Sequence, residues 1–438
     1  MRTMKYYLLN CLLFLTAVSH AQSSYKFYFG KGKVDGSYIP IAPGTKFNYQ
    51  TGYGFSQGTV ARSPSGMSVT SDAPFYFSVK LPEGNYDVKV VLGDPLDKSA
   101  TTVRAENRRL FFSQITTKKG KTTTKAFTAH IRDSLIRDTD GKVRGKVKLK
   151  SRETNYLHWD NLLTLEFSDS FPRLSVIEIT PNTKATTLFL AGNSTVVDQD
   201  KEPWAAWGQM FPSFFEPGNI CVANYAESGE TLKAFKGERR LEKIMSMAKE
   251  GDYLFIEFAH NDQKAGSSHL DPFTTYKATL KEWITEARNR KMIPVLVTSM
   301  HRRSFDAEGH IVNTLSDFPE AMRQTAKEEN VALVDLNAMS KILYEAWGPE
   351  RSLKAFVHFP ANTFPGQDSA LKDNTHFTTY GAYELARCVL KGLQEANLPI
   401  AKYIKKGTML FDPAKPDPWE QWYWPLSPIT ASVRPDGN

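Results

Sequence analysis

The chain has 438 residues, 41% hydrophobic and 23% charged, a composition that excludes a disordered or fibrous protein. That length exceeds what one core usually organises, so two domains are expected. The formal charge of +8 is a modest excess with no basic run interleaved with aromatics, which excludes dedicated nucleic-acid binding; nothing after residue 24 approaches the ~18 apolar residues of a membrane helix.

The chain opens with Arg2 and Lys5, an apolar stretch from Tyr7 to Val18, and small residues Ser19 and Ala21 at the −3 and −1 positions of a cleavage site. Residues 1–21 therefore read as a signal peptide cleaved after Ala21, which sends the protein to a periplasm or the cell exterior. Cys11 lies inside the apolar stretch, which argues against a lipid-anchored cysteine. Cys221 and Cys388 remain, each in a segment of regular structure. Two buried thiols are the plain reading, and a disulfide is the open alternative in an exported protein.

Residues 22–180 read as an all-β sandwich. Phe75, Phe77, Val79 and Leu81 alternate with other residues, Pro82-Glu83-Gly84-Asn85 makes a turn, and Tyr86, Val88, Val90 and Leu92 alternate again as a hairpin's return arm would. Val147 and Leu149, then Leu163, Leu165 and Phe167, repeat the period. The basic runs Lys118–Lys121 and Lys146–Arg152 read as solvated loops and strand faces.

From residue 185 the rhythm changes. Apolar strands at 186–191, 219–224, 253–258, 293–298 and 331–335 alternate with helical patterns at 231–249, 275–290, 319–329 and 378–396. That alternation predicts an α/β domain over 185–410, with a parallel sheet covered on both faces. Residues 411–438 form a tail rich in proline and aromatics, with Trp419, Trp422, Tyr423 and Trp424, and read as a strap packed over its own domain.

Ligands of open parallel sheets bind beyond the carboxyl ends of the strands. Ser194 follows the first strand, Gly229 the second and Asn261 the third, while Asp373 and His376 lie on a loop before the last helix. A serine hydroxyl attacks an ester only when an imidazole takes its proton and an acid fixes the imidazole. Ser194, His376 and Asp373 are the candidates for those roles. The developing oxyanion needs preset donors, for which the Ser194 N–H, the Gly229 N–H and the Asn261 amide are available. Asp262 reads as a loop brace. His260 either braces the same loop or lines the site. Asp198, Asp200 and Glu202 read as a solvated acidic loop. Asn193-Ser194-Thr195 matches a glycosylation sequon by chance, because a glycan there would block the site. No elbow, zinc or calcium motif is present, so neither a metal nor another cofactor is implied.

Gly192-Asn193-Ser194, Gly229, His260-Asn261-Asp262 and Asp373-Asn374-Thr375-His376 together resemble the SGNH (GDSL-type) hydrolases, and within them the rhamnogalacturonan acetylesterases of carbohydrate esterase family twelve. The resemblance covers residues 185–400. It implies a flavodoxin-like three-layer sheet, a Ser194–His376–Asp373 triad and an oxyanion hole of Ser194, Gly229 and Asn261. The substrate it implies is an acetylated pectic polysaccharide, rhamnogalacturonan first, with xylan or another acylated glycan as the alternative. The sandwich resembles a galactose-binding-like, jelly-roll module that either holds glycan or braces the esterase. Four positions depart from the family: Asn193 stands for Asp, Ala259 for Gly, and Glu230-Thr231 for Arg-Ser. Asn193 and Glu230 keep open a rival of another class, an inactive glycan-binding protein. The oligomeric state is not legible.

Overall fold

The computed structural model describes residues 24–408, 410–431 and 435. The predicted signal peptide lies outside the described residues. The first half is a sandwich of two sheets. One runs in the order Lys121–Ile131, Gly84–Asp94, Leu174–Pro181, Tyr25–Tyr28, Ile39–Pro40, with two short strands attached. The other runs Tyr53–Gln57, Phe75–Lys80, Leu162–Phe171, Ser99–Ala105, Arg109–Thr117. Alternate residues of both sheets, among them Phe77, Val79, Val88, Val90, Leu163 and Leu165, are fully buried between them.

The hairpin expected across Pro82–Asn85 does not form. Phe75–Lys80 pairs with Tyr53–Gln57 and Leu162–Phe171, whereas Gly84–Asp94 pairs with Lys121–Ile131 and Leu174–Pro181. The chain crosses from one sheet to the other at this turn. Alternation states that one face of each strand is buried; it does not distinguish strands that pair from strands that face each other across a core.

The second half is a three-layer α/β domain. Its parallel strands are Thr186–Gly192, Ile220–Asn224, Tyr253–Glu257, Ile293–Val297 and Ala332–Val334. Numbered along the chain they lie in the order 2-1-3-4-5, the flavodoxin-like arrangement with its switch point between the first and third strands. Leu188, Leu190, Phe255 and Val295 pack on one face with helices Leu336–Arg351 and Thr379–Glu395. Phe189, Ala191, Leu254 and Ile256 pack on the other with Arg240–Met247, Lys277–Asn289 and Phe318–Glu328. The single helix expected over 231–249 is two, Leu232–Gly237 and Arg240–Met247, broken at Arg239 with φ +65°. Helix Leu336–Arg351, fifth of these in chain order, has no counterpart among the helical patterns of the sequence.

The two halves share their cores. Leu110 of the sandwich enters one core cluster of the α/β domain, and Val147 and Trp159 enter the other. Charge is buried along the same seam. Arg109 grips Asp198 through Nε at 2.9 Å and Nη2 at 2.7 Å, and neither side chain touches solvent. Arg108 pairs with Glu202, and Arg240 pairs with Glu153 at 2.5 and 2.9 Å. The loop holding Asp198 and Glu202 is therefore a buried counter-ion set, not the solvated acidic loop expected. The tail is a strap over both halves: Trp424 lies 3.8 Å from the Arg104 guanidinium and donates to Glu202 at 2.8 Å, while Trp422 donates to Thr379 at 3.0 Å. Cys221 and Cys388 are buried and free.

Removing one partner of a buried ion pair strands the other charge and costs about 3–5 kcal/mol. Arg109→Met should lose that much in urea unfolding, and the unaltered protein should unfold both halves in one transition by fluorescence and far-UV circular dichroism. A second prediction concerns His130, buried in the seam with Nδ1 at 2.7 Å from Asn85 and Nε2 at 3.0 Å from the Tyr225 hydroxyl. Burial, then Arg132, Arg109 and Lys243, hold its imidazole well below the usual range. The folded state refuses a proton that the unfolded chain accepts below about pH 6.5, so stability is lost as pH falls through that value. His130→Gln should make this decline shallower by up to about 1.4 kcal/mol per pH unit, read from urea midpoints between pH 7.5 and 5.5.

Candidate active site

Ser194 stands two residues beyond the first parallel strand, at the switch point. The turn that presents it is held from within. Val196 and Val197 N–H groups donate to the Asn193 carbonyl at 3.0 and 3.1 Å, and Asn193 Oδ1 accepts from the Thr195 N–H and hydroxyl at 3.0 Å each. Gly192 lets this turn fold back on its own strand: a Cβ there would meet Val196 Cγ2 at 2.5 Å. Beneath it, buried Glu257 at the end of the third strand lies 3.0 Å from the Thr195 hydroxyl and also takes the Ser299 hydroxyl. Burial pushes the Glu257 carboxyl up. Asn193 thus caps the turn through its own side-chain oxygen. It is also fully buried, so the sequon is closed to modification in the fold.

Asp373 and His376 lie in the strand Leu371–Phe377, which pairs with Phe356–Phe359, and not on the loop expected. The register jumps between Phe356 and His358, so the segment from Asp373 to His376 bulges out of the ladder. Asp373 Oδ1 closes the bulge by accepting the Thr375 and His376 N–H groups at 2.9 and 3.0 Å. Its Oδ2 lies 2.8 Å from His376 Nδ1, and His376 Nε2 lies 2.8 Å from Ser194 Oγ. The three groups, separated by 182 residues at the widest, are all buried. Burial alone would raise the Asp373 carboxyl, but His376 and the two backbone N–H groups outweigh it and hold it well below the usual carboxylate range. The carboxylate therefore stays charged and can stabilise an imidazolium.

The second and third strands bring up the remaining residues. Gly229 has φ +82°, open to glycine and strained for other residues. Neither the Ser194 nor the Gly229 N–H has a hydrogen-bond acceptor among the described residues. Asn261 Nδ2 donates to the Glu230 carbonyl at 3.0 Å, tying the second loop to the third. Asp262 braces the same junction by accepting the Leu232 N–H at 2.9 Å, and burial pushes its carboxyl up to about 7. His260 is buried beside them, and neither ring nitrogen has a partner among the described residues. Burial first, then Arg302 and His376, hold its imidazole well below the usual range.

The basic run Lys146–Arg152 holds what the sequence reading missed. Lys150 and Arg152 are half-buried and reach across the seam: Lys150 pairs with Glu230, and Arg152 Nε and Nη2 grip Glu227 at 2.9 and 2.7 Å. Glu227 and Glu230 are themselves fully buried. Glu230 is thereby paired and shut off from solvent, and burial pushes its carboxyl up to about 8 against the pull of Arg240 and Lys150. Lysine and arginine in a polar run carry no periodic signal, so only two unpaired glutamates beside a glycine hinted at partners elsewhere.

Comparison with known proteins agrees with this layout. Residues 190–382 match the GDSL-like Lipase/Acylhydrolase family, and residues 25–154 match the family described as Beta-agarase/YXIM esterase-like, galactose-binding domain-like. A rhamnogalacturonan acetylesterase of Bacillus subtilis (strain 168), RhgT, is 42% identical over 223 residues, 50% of this chain and 95% of that relative. An uncharacterized esterase of the same organism, YxiM, is 25% identical over 390 residues, 85% of this chain and 91% of its own. The crystal structure of YxiM superposes with TM-score 0.46 over 86% of this chain and 99% of that one, at 25% identity.

If the three buried groups act as one unit, Ser194→Ala and His376→Ala should each cost on the order of 10⁶ in kcat toward a small aryl ester. Asp373→Asn should cost about 10⁴, because the imidazole then loses its fixed tautomer. Steady-state kinetics on variants with unchanged circular dichroism would check this, and losses below tenfold would contradict it.

Proposed function

The chain belongs to the GDSL-like lipase/acylhydrolase family and is a carboxylic ester hydrolase, and from that premise we propose that it is an exported esterase removing acetyl groups from a pectic polysaccharide, rhamnogalacturonan first. One observation carries the chemistry: His376 lies 2.8 Å from both the Ser194 hydroxyl and the Asp373 carboxylate. The substrate class rests on the 42% identity to a relative named for rhamnogalacturonan. The formal charge, +8 for the whole chain and still positive once Arg2 and Lys5 are cleaved off, supports it, since a basic surface attracts a polyanionic backbone.

The reaction runs in two halves. His376 Nε2 takes the Ser194 proton as Oγ bonds to the acetyl carbonyl carbon. The carbonyl oxygen becomes an oxyanion held by the Ser194 and Gly229 N–H groups and the Asn261 amide. Collapse breaks the bond to the sugar oxygen, which leaves with the proton that His376 returns. Water then attacks the acetyl-serine, giving its proton to His376, and acetate departs as Ser194 recovers its hydrogen. Asp373 orients the imidazole and stabilises its cation throughout. The N-terminal sandwich, residues 22–180, is an accessory module to this 185–410 catalytic domain.

Acetate release from acetylated rhamnogalacturonan and acetylated xylan should be measured side by side, with Ser194→Ala as control. The pectic substrate should be deacetylated faster, and the variant should release nothing. Release from xylan alone would keep the mechanism and overturn the substrate. No release from either, with tight glycan binding unchanged in Ser194→Ala, would favour a binding protein.

A further inference from the structure

We propose that Lys150 and Arg152, contributed by the N-terminal sandwich, are positioning residues for the oxyanion hole. They hold and polarise the single peptide group that joins Ser228 to Gly229. The proposal rests on the reading of the Gly229 N–H as an oxyanion donor.

The Ser228 carbonyl accepts from Lys150 Nζ at 2.8 Å and from Arg152 Nη2 at 2.7 Å. That carbonyl and the Gly229 N–H belong to one planar trans peptide, so they point in opposite directions. Fixing the oxygen with two donors therefore fixes where the N–H aims. The left-handed φ of Gly229 leaves the peptide otherwise free to swing, because glycine resists no rotation through its side chain. Both donors are cations, and charge-assisted bonds of this kind are roughly twice as strong as neutral ones. Positive charge behind the oxygen also draws electrons from the amide and strengthens its N–H as a donor.

The clamp is itself anchored on both sides. Arg152 and Lys150 grip Glu227 and Glu230, which flank the Ser228–Gly229 peptide. They sit at the turn Ser151–Asn155, whose Glu153 is buried against Arg240 of the hydrolase domain and takes the Trp159 indole at 2.9 Å. The Lys148 N–H donates to the Glu238 carbonyl at 2.9 Å. The sandwich thus reaches the hydrolase through the loop that carries Gly229. Its other arm, Arg108, donates to the Gln199 carbonyl at 3.1 Å, and Gln199 Nε2 donates to the Ser194 carbonyl at 2.9 Å.

The test is hydrolysis of 4-nitrophenyl acetate by the full chain, which needs no glycan recognition. Removing an oxyanion donor costs about 10²–10³ in kcat, so loosening one should cost roughly tenfold in Lys150→Met or Arg152→Met and more in the double variant. The loss should fall on kcat with KM changed less than about twofold, as transition-state stabilisation requires. Arg152→Lys, which keeps the charge and the fold, should recover part of it. Lys243→Met removes a different seam contact, to Glu83 at 2.5 Å, and should lower the unfolding midpoint without lowering kcat. A folded double variant with unchanged kcat, or a kcat loss in Lys243→Met that tracks its stability as closely, would overturn the proposal. Asn261→Ala separates the two layers. If it loses kcat while the clamp variants do not, the oxyanion hole stands and the clamp falls. If it also loses nothing, the oxyanion reading fails and the proposal with it.

Discussion

Buried charge at the seam between the sandwich and the α/β domain is the constraint on which the rest of the structure depends. Arg109 with Asp198, Arg108 with Glu202, Arg240 with Glu153, and Lys150 and Arg152 with Glu230 and Glu227 all cross it. Ions taken from water are costly, and each is tolerable only with its partner in place. Such pairs do not merely glue surfaces together. They demand one relative placement of the two halves, because a small shift leaves several charges unpaired at once. The loops that carry Ser194 and Gly229 are the hydrolase side of that seam.

The candidate catalytic groups inherit this rigidity from opposite directions. Ser194 is set by its own strand and by the Asn193 turn above Glu257. Asp373 and His376 are set by a bulged strand far along the chain, covered by the helix Thr379–Glu395 and, through Trp422 and Thr379, by the tail. The loop of Gly229 has neither a long strand nor a bulge to define it. Besides Asn261 within its own domain, side chains of the sandwich hold its neighbours Glu227 and Glu230. A site assembled this way is preorganised without a ligand, which is what electrostatic stabilisation of an oxyanion requires.

Much of this was legible in the sequence where the signal was local. The five parallel strands were placed within a residue or two because each is a short apolar run bounded by turn residues. Ser194, Asp373 and His376, which the structure joins in one hydrogen-bonded chain, stand out in the sequence because strand ends converge on one rim of such a sheet and because their motifs resemble a known family. Most of the differences concern pairing. Strands Phe75–Lys80 and Gly84–Asp94 were read as a hairpin because alternation fixes a buried face and not a neighbour. Asp198, Glu202, Lys150 and Arg152 were read as solvated because a charged residue reveals its burial only through a partner 70 or more residues away. Helix Leu336–Arg351 was missed where Gly348 and Pro349 interrupt its pattern.

In the proposed mechanism Ser194 Oγ is the atom that carries the acyl group. The most direct measurement is mass spectrometry of the protein quenched with acid moments after mixing with an acetyl ester, followed by peptide mapping. One added acetyl group is expected, located on the peptide that contains Ser194 and disappearing as acetate is released. Turnover without any acetylated intermediate on that peptide, or with the acetyl group on another side chain, would contradict it.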